Sequence, residues 1–273
     1  MKTQTIDLYE YFKLDKPQGA KALLTTLLID DYDFCKGRIR PAMLVLGGGG
    51  YQYVSDREKE PIAIYYLSLG YNVFVLDYSI APLGFPNQLI EACMATAYIR
   101  ENANELLVDE NHVAAVGFSA GGHLLGLLAT MYACEEVKAA LGEKYKLCRI
   151  DAAVFSYPVI SSTVKAHQGS ILVQCAGDES IRDRISIDKN VTEDTPPAFI
   201  WATSDDACVP VENSLYLAAA YKQCGVPFEL HIFESGVHGL SLATKEVNTE
   251  NKCAHAWLEL SRKWLKNRGF KID

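Results

Sequence analysis

The chain has 273 residues, 49% of them hydrophobic and 22% charged, and a formal net charge of −8. That length and composition suit a globular protein with a large buried core, and they exclude a disordered or fibrous chain. An acidic chain without a lysine–arginine stripe repels phosphate backbones and anionic lipid, so neither a nucleic-acid nor a membrane partner is expected.

Residues 1–10 contain no apolar h-region and no small-residue cleavage site, so no signal peptide is expected. No stretch approaches the roughly 18 apolar residues that span a bilayer. The eight cysteines, Cys35, Cys93, Cys134, Cys148, Cys175, Cys208, Cys224 and Cys253, are scattered, with no CxxC pair and no histidine at a ligand spacing. A zinc site and a disulfide framework are therefore poor readings, and reduced thiols in a cytoplasmic protein are expected. Cys208 stands close to Asp206, although a loop or core thiol is its ordinary reading.

Along the chain, short apolar runs alternate with longer amphipathic segments. Residues 22–29 read as a strand after the turn Lys16-Pro17-Gln18-Gly19. Buried strands are predicted over 43–46, 73–76, 113–118, 152–155, 198–201 and 228–233. Helices are predicted over 58–69, 87–104, 122–133, 213–223 and 245–267, from apolar residues spaced by three and four. Gly225 sits where a helix C-cap belongs. Strands apolar on both faces, alternating with helices, imply a doubly wound, mostly parallel α/β sheet with helices on each face. Active groups then belong at the carboxyl ends of the strands. The chain reads as one domain, 1–273. Residues 161–195, the least regular stretch, are too short for a large cap domain and suit a small cap or loop insertion over an open site.

Four motifs carry chemistry. Gly117-Phe118-Ser119-Ala120-Gly121 fits G-x-S-x-G between a strand and a helix. The serine needs a tight, strained turn to project above the sheet, and side chains at 117 and 121 would collide with neighbouring backbone. The helix that starts here adds positive potential. Gly47-Gly48-Gly49-Gly50-Tyr51 follows the strand 43–46. A flexible turn and a phosphate loop are its rival readings, but no Lys-Ser/Thr follows and G-x-G-x-x-G is not met. The amides near Gly49 and Gly50, with that of Ala120, are the expected oxyanion hole. After the strand 198–201 stand Asp205 and Asp206. Asp206 is preferred as the triad acid on its D-x-x-V-P spacing, and Asp205 is left to cap or orient the loop. Gly236-Val237-His238-Gly239 follows the last strand. The order Ser119, Asp206, His238 is that of the α/β-hydrolases, not of the chymotrypsin or subtilisin types. His112, His123, His231 and His255 read as structural, whereas His167 lies where it could reach the pocket. Tyr51, Tyr78 and Tyr157 are candidate stacking surfaces, with packing the ordinary role for at least two of them. No metal or organic cofactor is required.

Longer stretches extend the likeness: Gly48 to Tyr51 with Val54-Ser55-Asp56-Arg57-Glu58 and Glu60-Pro61, the run from Gly70 to Ser79, Gly117 to His123, Thr195-Pro196-Pro197, Val209 to Ser214, and His238-Gly239-Leu240. Over nearly its whole length the chain resembles bacterial carbohydrate-esterase and acetyl-xylan-esterase-like α/β-hydrolases, near the hormone-sensitive-lipase type. That resemblance implies hydrolysis of short acyl esters, often acetyl groups on sugars such as xylo-oligosaccharides. Two departures stand out: many relatives of the lipase-like branch have histidine where Gly47 stands, and many members have it where Ala202 stands. Neither position belongs to the triad. A peptidase of the prolyl-oligopeptidase type shares the fold and the triad order, but no propeller or gating segment precedes this core. A catalytically inactive binding protein is the third reading, and the intact triad argues against it. The expected partner is a small-molecule ester, an acetylated sugar, and nothing in the sequence excludes a homo-oligomer.

Overall fold

In the strand Arg40–Leu46 every residue is buried, which is why its apolar run does not alternate with polar residues. Alternate side chains still point to opposite faces: Leu44 and Leu46 join one core, Met43 and Val45 the other. The computed structural model describes residues 1–271. Its strands are β1 (Lys2–Asp7), β2 (Leu23–Leu28), β3 (Arg40–Leu46), β4 (Asn72–Asp77), β5 (Val108–Phe118), β6 (Ala152–Ser156), β7 (Ala198–Thr203) and β8 (Phe228–Phe233). Its α-helices are α1 (Leu8–Phe12), α2 (Glu60–Ser68), α3 (Asn87–Glu101), α4 (Ala103–Leu106), α5 (Ala120–Met131), α6 (Glu135–Leu141), α7 (Gln168–Cys175), α8 (Glu212–Gln223) and α9 (Trp257–Lys266).

The strands form one sheet in the order β1-β2-β4-β3-β5-β6-β7-β8. From β4 to β8 neighbours run parallel, and β1 and β2 add an antiparallel edge. This is the α/β-hydrolase architecture expected from the strand–helix alternation. One face carries residues of α3, α5 and α8, including Leu89, Leu124, Leu128 and Leu217. The other is covered by α2 and α9 through Ile62, Tyr66, Trp257 and Leu265. No helix among the described residues is long and apolar enough to cross a membrane.

Several boundaries differ from the sequence expectation. β1 has no apolar pattern because most of it is exposed at the sheet edge. The helix expected over 245–267 is only α9. Before it the chain folds back, with the Asn251 amide on Ala243 O at 3.0 Å and Asn248 left-handed at φ 55°. Within 161–195 lies α7, whose N-cap is an imidazole: His167 Nδ1 accepts the Ser170 amide at 3.3 Å. Gly225 does end its helix as expected, with φ 70° and the Val226 amide on Tyr221 O at 3.0 Å.

Candidate active site

β5 delivers Ser119 and α5 starts immediately after it. The serine has φ 52° and ψ −116°, a strained conformation for a residue with a side chain. The flanking glycines make that turn sterically feasible. A Cβ on Gly117 would stand 2.4 Å from Gly121 O, and one on Gly121 would stand 2.2 Å from Leu46 O. Backbone bonds fix the elbow: the Ser119 amide donates to Ser156 O at 3.0 Å, and Ser119 O accepts the amides of His123 and Val159 at 3.1 and 3.0 Å. The hydroxyl stands at the N-terminus of α5, where the helix dipole is positive.

The loops after β7 and β8 bring two more side chains to this hydroxyl. His238 Nε2 lies 2.7 Å from Ser119 Oγ, and His238 Nδ1 lies 2.7 Å from Asp206 Oδ2. A carboxylate on Nδ1 favours the tautomer that leaves Nε2 unprotonated and facing the Ser119 hydroxyl. Asp206 is itself held, since its Oδ1 accepts the amides of Cys208 and Val209 at 2.9 and 3.0 Å. The D-x-x-V-P spacing is thus an Asx-type turn that aims the other oxygen at the imidazole. Asp205 has a different place. Its Oδ1 accepts the Gly236 amide at 2.7 Å, tying down the loop that carries His238. The Thr203 hydroxyl donates to Gly236 O at 2.8 Å and secures the same loop.

The glycine run packs against the elbow: a Cβ on Gly48 would lie 3.0 Å from Ser119 Cβ and 2.7 Å from Phe118 O. The Gly48 amide donates to Glu58 Oε2 at 2.8 Å. Among the described residues, the amides of Gly49 and Gly50 donate to no acceptor. Ala120 is the first residue of α5, so its amide has no partner within the helix. The other oxygen of Glu58 accepts the Tyr157 hydroxyl at 2.7 Å, and that hydroxyl accepts the Ser241 amide at 2.8 Å. Glu58 and Tyr157 therefore strap the glycine loop to the segment that follows His238. The Tyr157 ring also meets the His238 ring edge-on, with centroids 5.1 Å apart.

A cavity of about 230 Å³ opens over Ser119 and His238, bordered by Gly49, Gly50, Tyr53, Arg57, His167 and Cys208 among others. Tyr53, Arg57 and Glu58 line the cavity without being singled out by a sequence motif of their own, although Arg57 and Glu58 lie in the Val54 to Glu58 stretch that carries the family likeness. His167 borders the cavity, as its place in the chain suggested. Its Nδ1 accepts from Ser170, so in the neutral ring the proton sits on Nε2. Burial, then the neighbouring His238, push its pKa below the ordinary histidine value. The expectation for Tyr51 is corrected: it is fully buried and has no face to offer a sugar. Tyr51 follows the glycine turn at φ 60°, and its hydroxyl bonds His123 Nδ1 at 2.9 Å. Tyr78 and Tyr157 are buried as well. Among the described residues no group of three or more His, Cys, Asp or Glu side chains is gathered to hold a metal ion.

The BD-FAE family model matches residues 35–221 of this chain. The endo-1,4-beta-xylanase B of Butyrivibrio fibrisolvens is 35% identical over 215 residues, covering 76% of this chain and 33% of that protein. The acetylxylan esterase of Xylanibacter ruminicola is 28% identical over 217 residues, covering 74% of this chain and 42% of that protein. The chain thus spans less than half the length of either curated relative. The crystal structure of an acetyl ester-xyloside bifunctional hydrolase from Caldicellulosiruptor lactoaceticus superposes with a TM-score of 0.83 at 34% identity, covering 98% of this chain and 97% of that one. The match over most of the chain and the shared architecture make it a member of the BD-FAE family, an α/β-hydrolase of the carbohydrate-esterase-like kind.

Proposed function

We propose that the protein is a serine carboxylic-ester hydrolase in which Ser119 is the nucleophile, His238 the general base and Asp206 the residue that orients it. The observation that carries this reading is the unbroken relay from Ser119 Oγ to His238 Nε2 and from His238 Nδ1 to Asp206 Oδ2, each at 2.7 Å. Ser119 Oγ attacks the ester carbonyl as its proton passes to His238 Nε2. The carbonyl oxygen becomes an oxyanion held by the amides of Gly49, Gly50 and Ala120. Losing one such donor typically costs about 10²–10³ in rate. The C–O bond to the alcohol then breaks, and the alcohol leaves with the proton from His238. Water repeats the sequence on the acyl-enzyme, releasing the carboxylic acid and restoring Ser119.

The substrate we assign is a short acyl ester, acetyl on a xylo-oligosaccharide or a related sugar. A cavity of about 230 Å³ suits an acetyl group and part of a sugar ring better than a long alkyl chain. Its rim carries the exposed Tyr53 ring, the exposed Arg57 and the Nε2–H of His167, an aromatic face with donors for hydroxyls. The activities named for the Xylanibacter and Caldicellulosiruptor proteins support the same class. A cytoplasmic place fits the eight unpaired cysteines. The test compares acetate release from acetylated xylo-oligosaccharides with hydrolysis of p-nitrophenyl esters of rising chain length. Acetyl esters should dominate and Ser119→Ala should abolish turnover. A preference for long acyl chains would refute the substrate, and an active Ser119→Ala would refute the mechanism.

A further inference from the structure

A cluster of unpaired positive charge lies at the opposite end of the sheet from Ser119. There the pairing of β3 with β5 is interrupted: Arg40 is opposite Val108, but Ala42 is opposite Val113. Residues 109–112 bow out of the ladder beside Pro41, which has no N–H to donate. The opening is a cavity of about 420 Å³. Lys36, Arg38 and Arg40 border it, and its one bordering carboxylate among the described residues, Asp109, is engaged by His112 Nδ1 at 2.8 Å.

Arg40 is the unusual member. It is 7% exposed, and Arg40 Nη1 donates to Gly70 O at 3.2 Å. Among the described residues no carboxylate lies within ion-pair distance of Arg40, Arg38 or Lys36. Arg100, also largely buried, shows the usual solution, with Asp151 at 2.7 Å. A buried guanidinium without a counter-ion is strongly unfavourable unless an anion reaches it. Burial, then the neighbouring Arg38, hold the Arg40 pKa below its ordinary value, while Asp31, outside the cavity, acts the other way. In a chain of net charge −8, this cluster is a local feature and not part of a generally basic surface.

We propose that this cavity binds a small oxyanion of the phosphate class, inorganic phosphate or a phosphomonoester, on the Arg38 and Arg40 guanidiniums and the Lys36 ammonium. A dianion leaves one of these three cations uncompensated, whereas a single carboxylate would leave two. Guanidinium forks match the tetrahedral oxygens of phosphate in a bidentate manner. The volume exceeds that of a bare phosphate and has room for a sugar-sized ester. The seven residues of β3, roughly 23 Å of strand, separate this cavity from the glycine loop, so its ligand does not touch the reacting ester.

The test is thermal unfolding of the full chain in inorganic phosphate and in glucose 6-phosphate, against sodium chloride at matched ionic strength. At a hundredfold excess over Kd the melting temperature should rise by about 5 °C. Arg38→Gln, a change at an exposed side chain, should remove the rise, as should Lys36→Gln and Arg40→Gln. Lys222→Gln, on α8, should keep it. A larger rise with glucose 6-phosphate assigns the phosphomonoester, and equal rises assign inorganic phosphate. No rise beyond chloride, an undiminished rise in Arg38→Gln, or a larger rise with glucuronate than with phosphate would overturn the proposal. Turnover of p-nitrophenyl acetate by Arg38→Gln should match the parent, so the fate of this site and of the Ser119 reading are separate.

Discussion

Tyr157→Phe probes the strap behind the site with little change in shape. The ring stays against His238, with its centroid 5.1 Å from the imidazole, and one oxygen is lost. That oxygen donates to Glu58 Oε1 at 2.7 Å and accepts the Ser241 amide at 2.8 Å. Glu58 is 3% exposed and Ser241 fully buried, so water cannot readily replace either bond. An orphaned buried N–H costs about 1–3 kcal/mol, and a carboxylate that loses a donor costs about as much again. Some relaxation of Glu58 brings the expected loss to about 3 kcal/mol. For a chain of this size, that is a fall of about 5–6 °C in melting temperature. Because the strap joins the glycine loop to the His238 segment, kcat/KM on p-nitrophenyl acetate should fall about tenfold or more. Urea unfolding and steady-state kinetics on the same preparation read both quantities. A stability loss below about 1 kcal/mol with unchanged kinetics would refute the reasoning.

Asp206→Asn should lower kcat by about 10³–10⁴ because the amide favours the wrong imidazole tautomer. Asp205→Asn keeps an oxygen for the Gly236 amide and should stay within about tenfold of the parent. Kinetics that place the large loss at Asp205 would reverse the assignment. Gly48→Ala puts a methyl 2.7 Å from Phe118 O and 2.8 Å from Glu58 Oε2, so unfolding should show a loss above about 2 kcal/mol, with activity falling in step. His123, fully buried between Tyr51 OH and Ile185 O, has its pKa pushed down to about 4 by burial. Since the folded value lies below the unfolded one, this stabilisation is fully present above about pH 6.5 and is lost as pH falls toward 4. It is worth roughly 3 kcal/mol. Stability measured across that window should slope less in His123→Gln, and an unchanged slope would contradict a neutral buried imidazole.

The sheet and the three relay residues were legible because their signals are local. A buried strand must be apolar on both faces, and the elbow must have glycine at 117 and 121 to avoid Leu46 O and Gly121 O. Asp206 was preferred to Asp205 on its D-x-x-V-P spacing, and in the structure the amides two and three residues on hold its Oδ1. What escaped depends on contacts remote in sequence. The inward direction of Tyr51 is set by its positive φ after the glycine turn, and no residue pattern marks that sign. Glu58 reads as an ordinary helix-start carboxylate, and only its bonds to Gly48 and Tyr157 give it a role. The start of α7 carries no standard cap because an imidazole does the work. Arg40 stands at the head of an otherwise apolar strand, where nothing nearby in the sequence announces its burial or its cavity.

The most direct test of the central claim is covalent: reaction with diethyl p-nitrophenyl phosphate, followed by peptide mass spectrometry. One phosphoryl adduct per chain is expected, on Ser119 and in step with loss of esterase activity. The adduct should be absent in Ser119→Ala and form far more slowly in His238→Ala. Full inactivation with Ser119 unmodified, or an undiminished labelling rate in His238→Ala, would contradict the central claim.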